Sequence, residues 1–346
     1  MKRLTVELGE KSYDIVLDKG LLGRCGDEVG QVFAGKRVAV VTDTNVAKYH
    51  LDTVVQSLRK SGYEVTDFVL PAGEQTKSLD TLPKLYSYFI GSGITRSDLI
   101  VALGGGVIGD ITGFAAATYL RGVRYVQMPT SLLAQVDSSS GGKVAADLPE
   151  GKNLVGAFYQ PLRVIIDEDA LDTLEPRFFT DGMGEVIKHA CIKDKVLFDG
   201  LVNKTLSRED MLYTNCKIKS QVVEKDERDT GERMMLNFGH TIAHAVETYY
   251  NFERYSHGEA VAIGMYTITR LAEKKSLTKV GTADRIKAIL EQYGLPHELP
   301  GADKGQIMKL MTRDKKNLDG VLNCILLREI GEAYIYKTDI SFFEEL

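Results

Sequence analysis

Residues 99–122 read LIVALGGGVIGDITGFAAATYLRG. Five apolar residues run into three glycines and then into helix-forming residues, the pattern of a buried strand that turns directly into a helix. Backbone without side chains can approach a pyrophosphate closely, and a helix starting there adds amide donors and a partial positive charge. Gly104, Gly106 and Gly109 satisfy the spacing G-x-G-x-x-G. Taken alone the match is weak, because it lies in the middle of the strand–helix series and no acid closes a following strand about 20 residues later. The turn is either a dinucleotide cradle or a plain strand–helix junction. An acid does stand at an earlier strand end, where residues 37–42 run into Asp43-Thr44-Asn45. That carboxylate can meet ribose hydroxyls or simply cap a turn. The polar loop PAGEQTK at 71–77 is also suited to nucleotide contact.

Outward from this stretch, strand signals recur at 4–8, 13–17, 37–42, 63–70, 98–103, 125–128 and 163–166, with helical patterns at 51–61 and 79–90. This alternation predicts a parallel sheet flanked by helices. Near residue 170 the texture changes to long amphipathic segments at 182–192, 208–226, 241–250, 258–274 and 282–293. The run YGLP at 293–296 reads as a helix stop.

Composition bounds the function. At 44% hydrophobic and 26% charged residues, the 346-residue chain is that of a globular protein and not a disordered one. A formal net charge of −5 implies no general affinity for nucleic acid, so functional cations must be focused locally. Cys25, Cys191, Cys216 and Cys324 are scattered without a C-x-x-C pair, which disfavours a zinc ribbon or a redox dithiol and fits a reducing compartment. The opening MKRLTVELGEKSYDIV alternates like a strand and has no apolar run of signal-peptide type. No apolar run approaches the ~18 residues of a membrane span. A cytoplasmic protein with no membrane partner is expected.

The second half carries LNFGHTIAHAVETYYNFERYSHGEAVAIGM at 236–265, with three of the six histidines. His240 and His244 are four apart and share one helix face, while His257 follows a break and opens the next helix. Upstream, GEVIK at 184–188 places Glu185 and Lys188 on one face of another helix. Two imidazoles and a carboxylate suit an open zinc site, whose free position polarises a bound hydroxyl or carbonyl. The alternative is a polar, helix-capping histidine cluster. Thr241 stands where a zinc protease carries Glu. The stretch SSGGK at 139–143 resembles a phosphate nest, but Asp137 stands where a Walker loop needs Gly, which disfavours a triphosphatase.

These blocks also carry a resemblance. Residues 103–139, GGK at 141–143, GKNLVGAFYQP at 151–161, GMGEVIKHA at 182–190, LNFGHTIAHAVE at 236–247, HGEAVAIGM at 257–265 and RDKKN at 313–317 resemble, in order and over essentially the whole chain, the signature blocks of 3-dehydroquinate synthases. The resemblance implies an α/β protein: a Rossmann-like N-terminal domain with a mainly parallel sheet at 1–170, which binds NAD, and a mostly α-helical domain at 171–346, which binds metal and substrate. It implies a homodimer with NAD and one divalent metal ion, Zn²⁺ or Co²⁺. The expected reaction converts 3-deoxy-D-arabino-heptulosonate 7-phosphate, a small phosphorylated sugar acid, to 3-dehydroquinate and phosphate, the second step of the shikimate pathway.

By matching motifs, Glu185, His240 and His257 would hold the metal. Asp43, Asn45, Glu74, Lys77, Gly105, Gly106, Val107 and Asp110 would contact NAD, together with Thr130, Ser131, Lys152 and Thr173. Lys143, Asn153, Lys188, Asp137 and His244 would be catalytic. Arg121, Lys219, Arg233, Asn237 and Lys315 would bind substrate. Six cations, Arg121, Lys143, Lys188, Lys219, Arg233 and Lys315, suit a molecule bearing both phosphate and carboxylate. The chain departs from the family's usual residues at Asp181 (often Asn), Gly184 (often Ala), Ala243 (often Gly) and Ser140 (often Ile), and an added charge at 181 would be awkward beside a nucleotide. The rivals are a polyol dehydrogenase on the same fold, a cyclase for another sugar phosphate, and a non-enzymatic NAD-binding regulator. Lys219, Arg233 and Lys315 favour the acid substrate, because a carboxylate needs a cationic partner.

Overall fold

A computed structural model of the chain describes residues 1–229, 231–298, 301, 303–312 and 321–346. The chain forms two compact units, Met1–Glu175 with Lys219–Glu224, and Pro176–Ile218 with Lys225–Leu346.

The first unit holds strands β1 (Lys2–Val6), β2 (Tyr13–Asp18), β3 (Arg37–Asp43), β4 (Glu64–Leu70), β5 (Leu99–Gly104), β6 (Arg124–Pro129), β7 (Lys143–Leu148), β8 (Gly151–Phe158) and β9 (Arg163–Asp167). Seven of them make one sheet in the order β1-β2-β9-β6-β5-β3-β4. All its pairings are parallel except β1 with β2. Every residue of β5 is buried. Strand side chains alternate between faces, so Leu99, Val101 and Leu103 join one apolar cluster with Val38, Val40 and Leu58. Ile100 and Ala102 join the other, with Ile108, Ile111 and Phe114. Because both faces are covered, the strand reads as a continuous apolar run and not as an alternation.

Strand order positions the ligand-binding edge. After β3 the chain passes outward to β4 and then returns to the other side of β3 as β5. The direction of winding therefore reverses between β3 and β5, and in open α/β sheets ligands settle in the crevice at the carboxyl ends of such strands. Asp43 and Gly104 end these two strands. All seven expected strands form. The antiparallel hairpin β7–β8 was not read from sequence. It buries Val144 and Ala146 and carries Lys143, Lys152 and Asn153.

The second unit is mainly helical, as expected. It holds helices Pro176–Lys193, Lys195–Val202, His240–Tyr249, His257–Lys274, Thr282–Gln292 and Lys304–Thr312, and the unit boundary divides helix Arg208–Lys225. It also contains an unexpected hairpin, β10 (Leu322–Glu329) and β11 (Glu332–Thr338). Among the described residues no helix is long and apolar enough to cross a membrane.

Helices Pro176–Lys193 and His257–Lys274 pack backbone to backbone. A Cβ on Gly184 would lie 2.6 Å from the Gly258 carbonyl oxygen, and one on Gly258 would strike the Asp181 carbonyl. Gly258→Ala should therefore lower the unfolding free energy by about 1–3 kcal/mol, the usual range for overpacking. Gly91→Ala, where nothing lies within 4 Å of an added Cβ, should be neutral or slightly stabilising. Urea denaturation of the two variants checks this, and equal stability would contradict the close contact.

Candidate functional site

In the second unit three helices bring one carboxylate and two imidazoles together. Glu185, on helix Pro176–Lys193, is wholly buried. Its Oε1 lies 3.6 Å from His240 Nε2 and 3.4 Å from His257 Nε2. One ligand atom from each of the three residues lies within 4.8 Å of the others. His240 opens helix His240–Tyr249 after Gly239, whose φ of +79° makes the left-handed turn that glycine accepts without strain. His257 is the first residue of helix His257–Lys274.

Both rings are held at the opposite nitrogen. His240 Nδ1 faces the Phe238 carbonyl at 3.1 Å, and His257 Nδ1 faces Glu247 Oε1 at 3.4 Å. In the neutral ring, which is the form that ligates a cation, an acceptor at Nδ1 selects the tautomer with its proton there and leaves the Nε2 lone pair directed inward. Two such nitrogens and a carboxylate oxygen are the donor set of an open zinc or cobalt site, so the residues fit a divalent cation. Burial, with the Lys188 ammonium nearby, keeps His240 well below the usual imidazole range. Burial also disfavours the His257 imidazolium, but the Glu185 and Glu247 carboxylates outweigh it and hold its pKa up at about 10. Lys188, itself buried, contacts Glu185 one helical turn away.

Other expected residues of this unit lie nearby or apart. His244 is exposed, with its ring edge-on to His240 at 5.5 Å between centroids. Arg233 is buried and donates through Nη1 to the Glu227 carbonyl at 2.6 Å. Asn237 ends the same short 3₁₀ segment, Glu232–Asn237. Lys315 lies outside the described residues. Glu247, absent from the expected residues, follows His240 by seven residues, two turns along the same face.

Asp181 belongs to this unit. Its Oδ1 accepts from the Gly258 N–H at 2.5 Å, which places a carboxylate at the positive end of helix His257–Lys274. Burial raises its pKa, while the Gly258 hydrogen bond opposes that rise.

In the first unit the glycine turn meets charged neighbours. Gly105 precedes helix Gly106–Thr118, whose first turns carry Val107 and Asp110. An added Cβ on Gly105 would lie 3.3 Å from Ser131 Oγ, and the Thr130 N–H donates to the Gly104 carbonyl at 3.0 Å. Lys77 is buried. Its Nζ lies 2.6 Å from Asp110 Oδ2 and 2.5 Å from Asn153 Oδ1. Burial opposes the Lys77 charge, but the Asp110 carboxylate outweighs it and raises the pKa. Burial pushes Asp110 up, against the pull of Lys77. Asp147 Oδ1 accepts from the Asn153 N–H at 2.7 Å and holds that residue at φ +56°.

Lys152 reaches Glu74 at 3.7 Å. Asp43 Oδ1 accepts from the Asn45 and Val46 amides at 2.8 and 3.1 Å, so the capping role allowed by the sequence is present. Thr173 Oγ1 lies 2.8 Å from His50 Nε2. Lys219 Nζ lies 2.5 Å from Asp137 Oδ1. Lys143 starts β7 and is exposed, and Arg121 is exposed at φ +66°. In the expected nest, the Gly141 N–H donates to the Tyr13 hydroxyl at 3.0 Å.

Residues 67–181 match the family model of the 3-dehydroquinate synthase N-terminal domain, and residues 182–317 match that of the C-terminal domain. The chain belongs to the 3-dehydroquinate synthase family. A 3-dehydroquinate synthase of Clostridium beijerinckii is 54% identical over 99% of this chain and 100% of its own length. Among solved structures, 2-deoxy-scyllo-inosose synthase complexed with carbaglucose-6-phosphate, NAD⁺ and Co²⁺ is 25% identical, with a TM-score of 0.89 over 99% of this chain and 98% of its own. The 2-epi-5-epi-valiolone synthase of Streptomyces hygroscopicus with NAD⁺ and Zn²⁺ bound is 26% identical, with a TM-score of 0.88 over 98% and 96%.

The Asp181 contact caps the N-terminus of helix His257–Lys274. Asp181→Ala should cost about 1.5–3 kcal/mol, the range for a hydrogen bond to a charged group. Asp181→Asn, which keeps an acceptor, should cost less than half of that. Guanidinium denaturation reads both, and an Asp181→Ala protein as stable as its parent would rule out the cap.

Proposed function

We propose that the chain carries out the 3-dehydroquinate synthase reaction. In it, 3-deoxy-D-arabino-heptulosonate 7-phosphate becomes 3-dehydroquinate and phosphate through transient oxidation, phosphate elimination, re-reduction and intramolecular aldol closure. The observation that carries this reading is the trio of buried Glu185 with half-buried His240 and His257, whose ligand atoms converge beside Lys188. NAD, held by the glycine turn at Gly105, Gly106 and Val107 and by the polar groups expected around it, would accept and return one hydride. A divalent cation held by Glu185, His240 and His257 would act as a Lewis acid toward substrate oxygens.

The chain's own groups bind and orient. Lys143, Asn153 and Lys188 position the phosphate, as cations and an amide suit a dianion. With Glu185 holding a cation, the Lys188 ammonium beside it would be available to an anionic substrate. Arg121, Lys219, Arg233, Asn237 and Lys315 hold the carboxylate and hydroxyl groups. Asp137 and His244 carry protons at the reacting hydroxyls. The substrate's own phosphate can serve as base for the elimination, which leaves the protein to hold it in place. We assign the protein to the cytoplasm as a homodimer.

Incubation with the heptulosonate phosphate, catalytic NAD and Zn²⁺ or Co²⁺ should release phosphate with no net rise in nicotinamide absorbance. NADH accumulating in step with product would mean a polyol dehydrogenase instead. Removing metal with a chelator should stop turnover, and adding Zn²⁺ or Co²⁺ back should restore it. His257→Ala should lose bound metal and activity together, as read by elemental analysis alongside the assay, and full activity with metal retained would refute the ligand set. Lys143→Ala should lower kcat/KM on the order of a hundredfold while leaving the thermal unfolding midpoint unchanged, and an unaltered kcat/KM would remove it from the phosphate site.

A further inference from the structure

We infer that Glu247 is a positioning residue of the metal centre, which fixes the ring of His257 and strengthens its hold on a divalent cation. The inference rests on the metal-site reading above and extends it beyond the three ligands.

Helical phase comes first. His240, His244 and Glu247 stand at i, i+4 and i+7 on helix His240–Tyr249, so the helix that supplies one ligand presents a carboxylate on the same face. Glu247 is 4% exposed. A carboxylate is rarely that buried without a partner that repays its lost hydration. His257 is such a partner: its Nδ1 lies 3.4 Å from Glu247 Oε1 while its Nε2 lies 3.4 Å from Glu185 Oε1. The ring thus spans two carboxylates, one on the ligand side and one behind it.

The two histidines differ in what backs them. His240 Nδ1 faces a neutral carbonyl, that of Phe238. His257 Nδ1 faces a carboxylate on a different helix. Both acceptors favour the tautomer that frees Nε2, but a carboxylate also raises the basicity of the ring it holds and so its donor strength toward a cation. His257 is the first residue of its helix and follows the turn from helix His240–Tyr249. Glu247 ties that ring back across the turn to the helix bearing His240.

The test is metal binding, read apart from turnover. The wild-type protein, Glu247→Gln and Glu247→Ala are stripped with a chelator. Each is then titrated with Co²⁺ against a chromophoric competitor, with the visible cobalt bands recorded and the unfolding midpoint of each metal-free protein measured. Loss of such a backing group weakens metal affinity about 10–100-fold. Glu247→Ala should fall toward the upper end of that range and Glu247→Gln, which keeps an acceptor at Nδ1, toward the lower, with shifted cobalt bands in the alanine variant. A carboxylate that served packing alone would move the unfolding midpoint and leave Co²⁺ affinity and spectrum at wild-type values, and that result overturns the inference. Should Glu247→Ala fail to fold, Glu247→Gln decides alone: weakened Co²⁺ binding supports the role, and wild-type affinity removes it. If the wild-type protein itself takes up no Co²⁺, the metal-site reading falls and the role of Glu247 falls with it.

Discussion

Glu185 is a carboxylate with no exposure to water, and the second unit is arranged around satisfying it. Removing a carboxylate from water costs several kcal/mol unless charges and donors replace the lost hydration. Here the Lys188 ammonium does so, and the His257 ring, whose pKa the Glu185 and Glu247 carboxylates hold up, adds a second positive partner, each from a defined place on a helix. The arrangement needs helix axes closer than ordinary side chains allow. Gly184 and Gly258 meet backbone to backbone for that reason, and Gly239 turns the chain so that His240 begins its helix facing inward. The packing of this unit and its chemistry are therefore one constraint: what lets the helices approach is also what lets three ligand atoms converge.

The first unit reaches a comparable end by different means. Its sheet reverses its winding between β3 and β5, and the glycine turn opens at that point. Three of the lysines expected to meet ligands are each matched by an acid of their own unit: Lys77 with Asp110, Lys188 with Glu185 and Lys219 with Asp137. Such pairing keeps a buried ammonium charged and in place.

Much of this was legible in the sequence because the governing patterns are local. Buried parallel strands such as β3, β5 and β9 announce themselves as short apolar runs, and edge strands such as β1 and β4 as alternations, and all seven strands of the sheet formed where such signals stood. The i, i+4 histidines, and the i, i+3 pair Glu185 and Lys188, show their shared faces by spacing alone. The two hairpins were missed for opposite reasons. In β7–β8 the pattern is broken by Gly156 and by Asn153 at positive φ. In β10 the run LNCILL is equally compatible with a buried helix. The capping role of Asp181 and the place of Glu247 against His257 depend on contacts between helices distant in sequence or separated by a turn, which no local pattern encodes. Glu247 left one usable trace, its seven-residue offset from His240.

X-ray absorption spectroscopy of the zinc-loaded protein decides whether one cation is held by Glu185, His240 and His257. A first shell of nitrogen and oxygen alone at about 2.0–2.2 Å is expected, with the outer-shell scattering of two imidazole rings and one equivalent of zinc per chain. Zinc–sulfur scattering at about 2.3 Å, or a shell without imidazole, would place the metal elsewhere and rule out this ligand set.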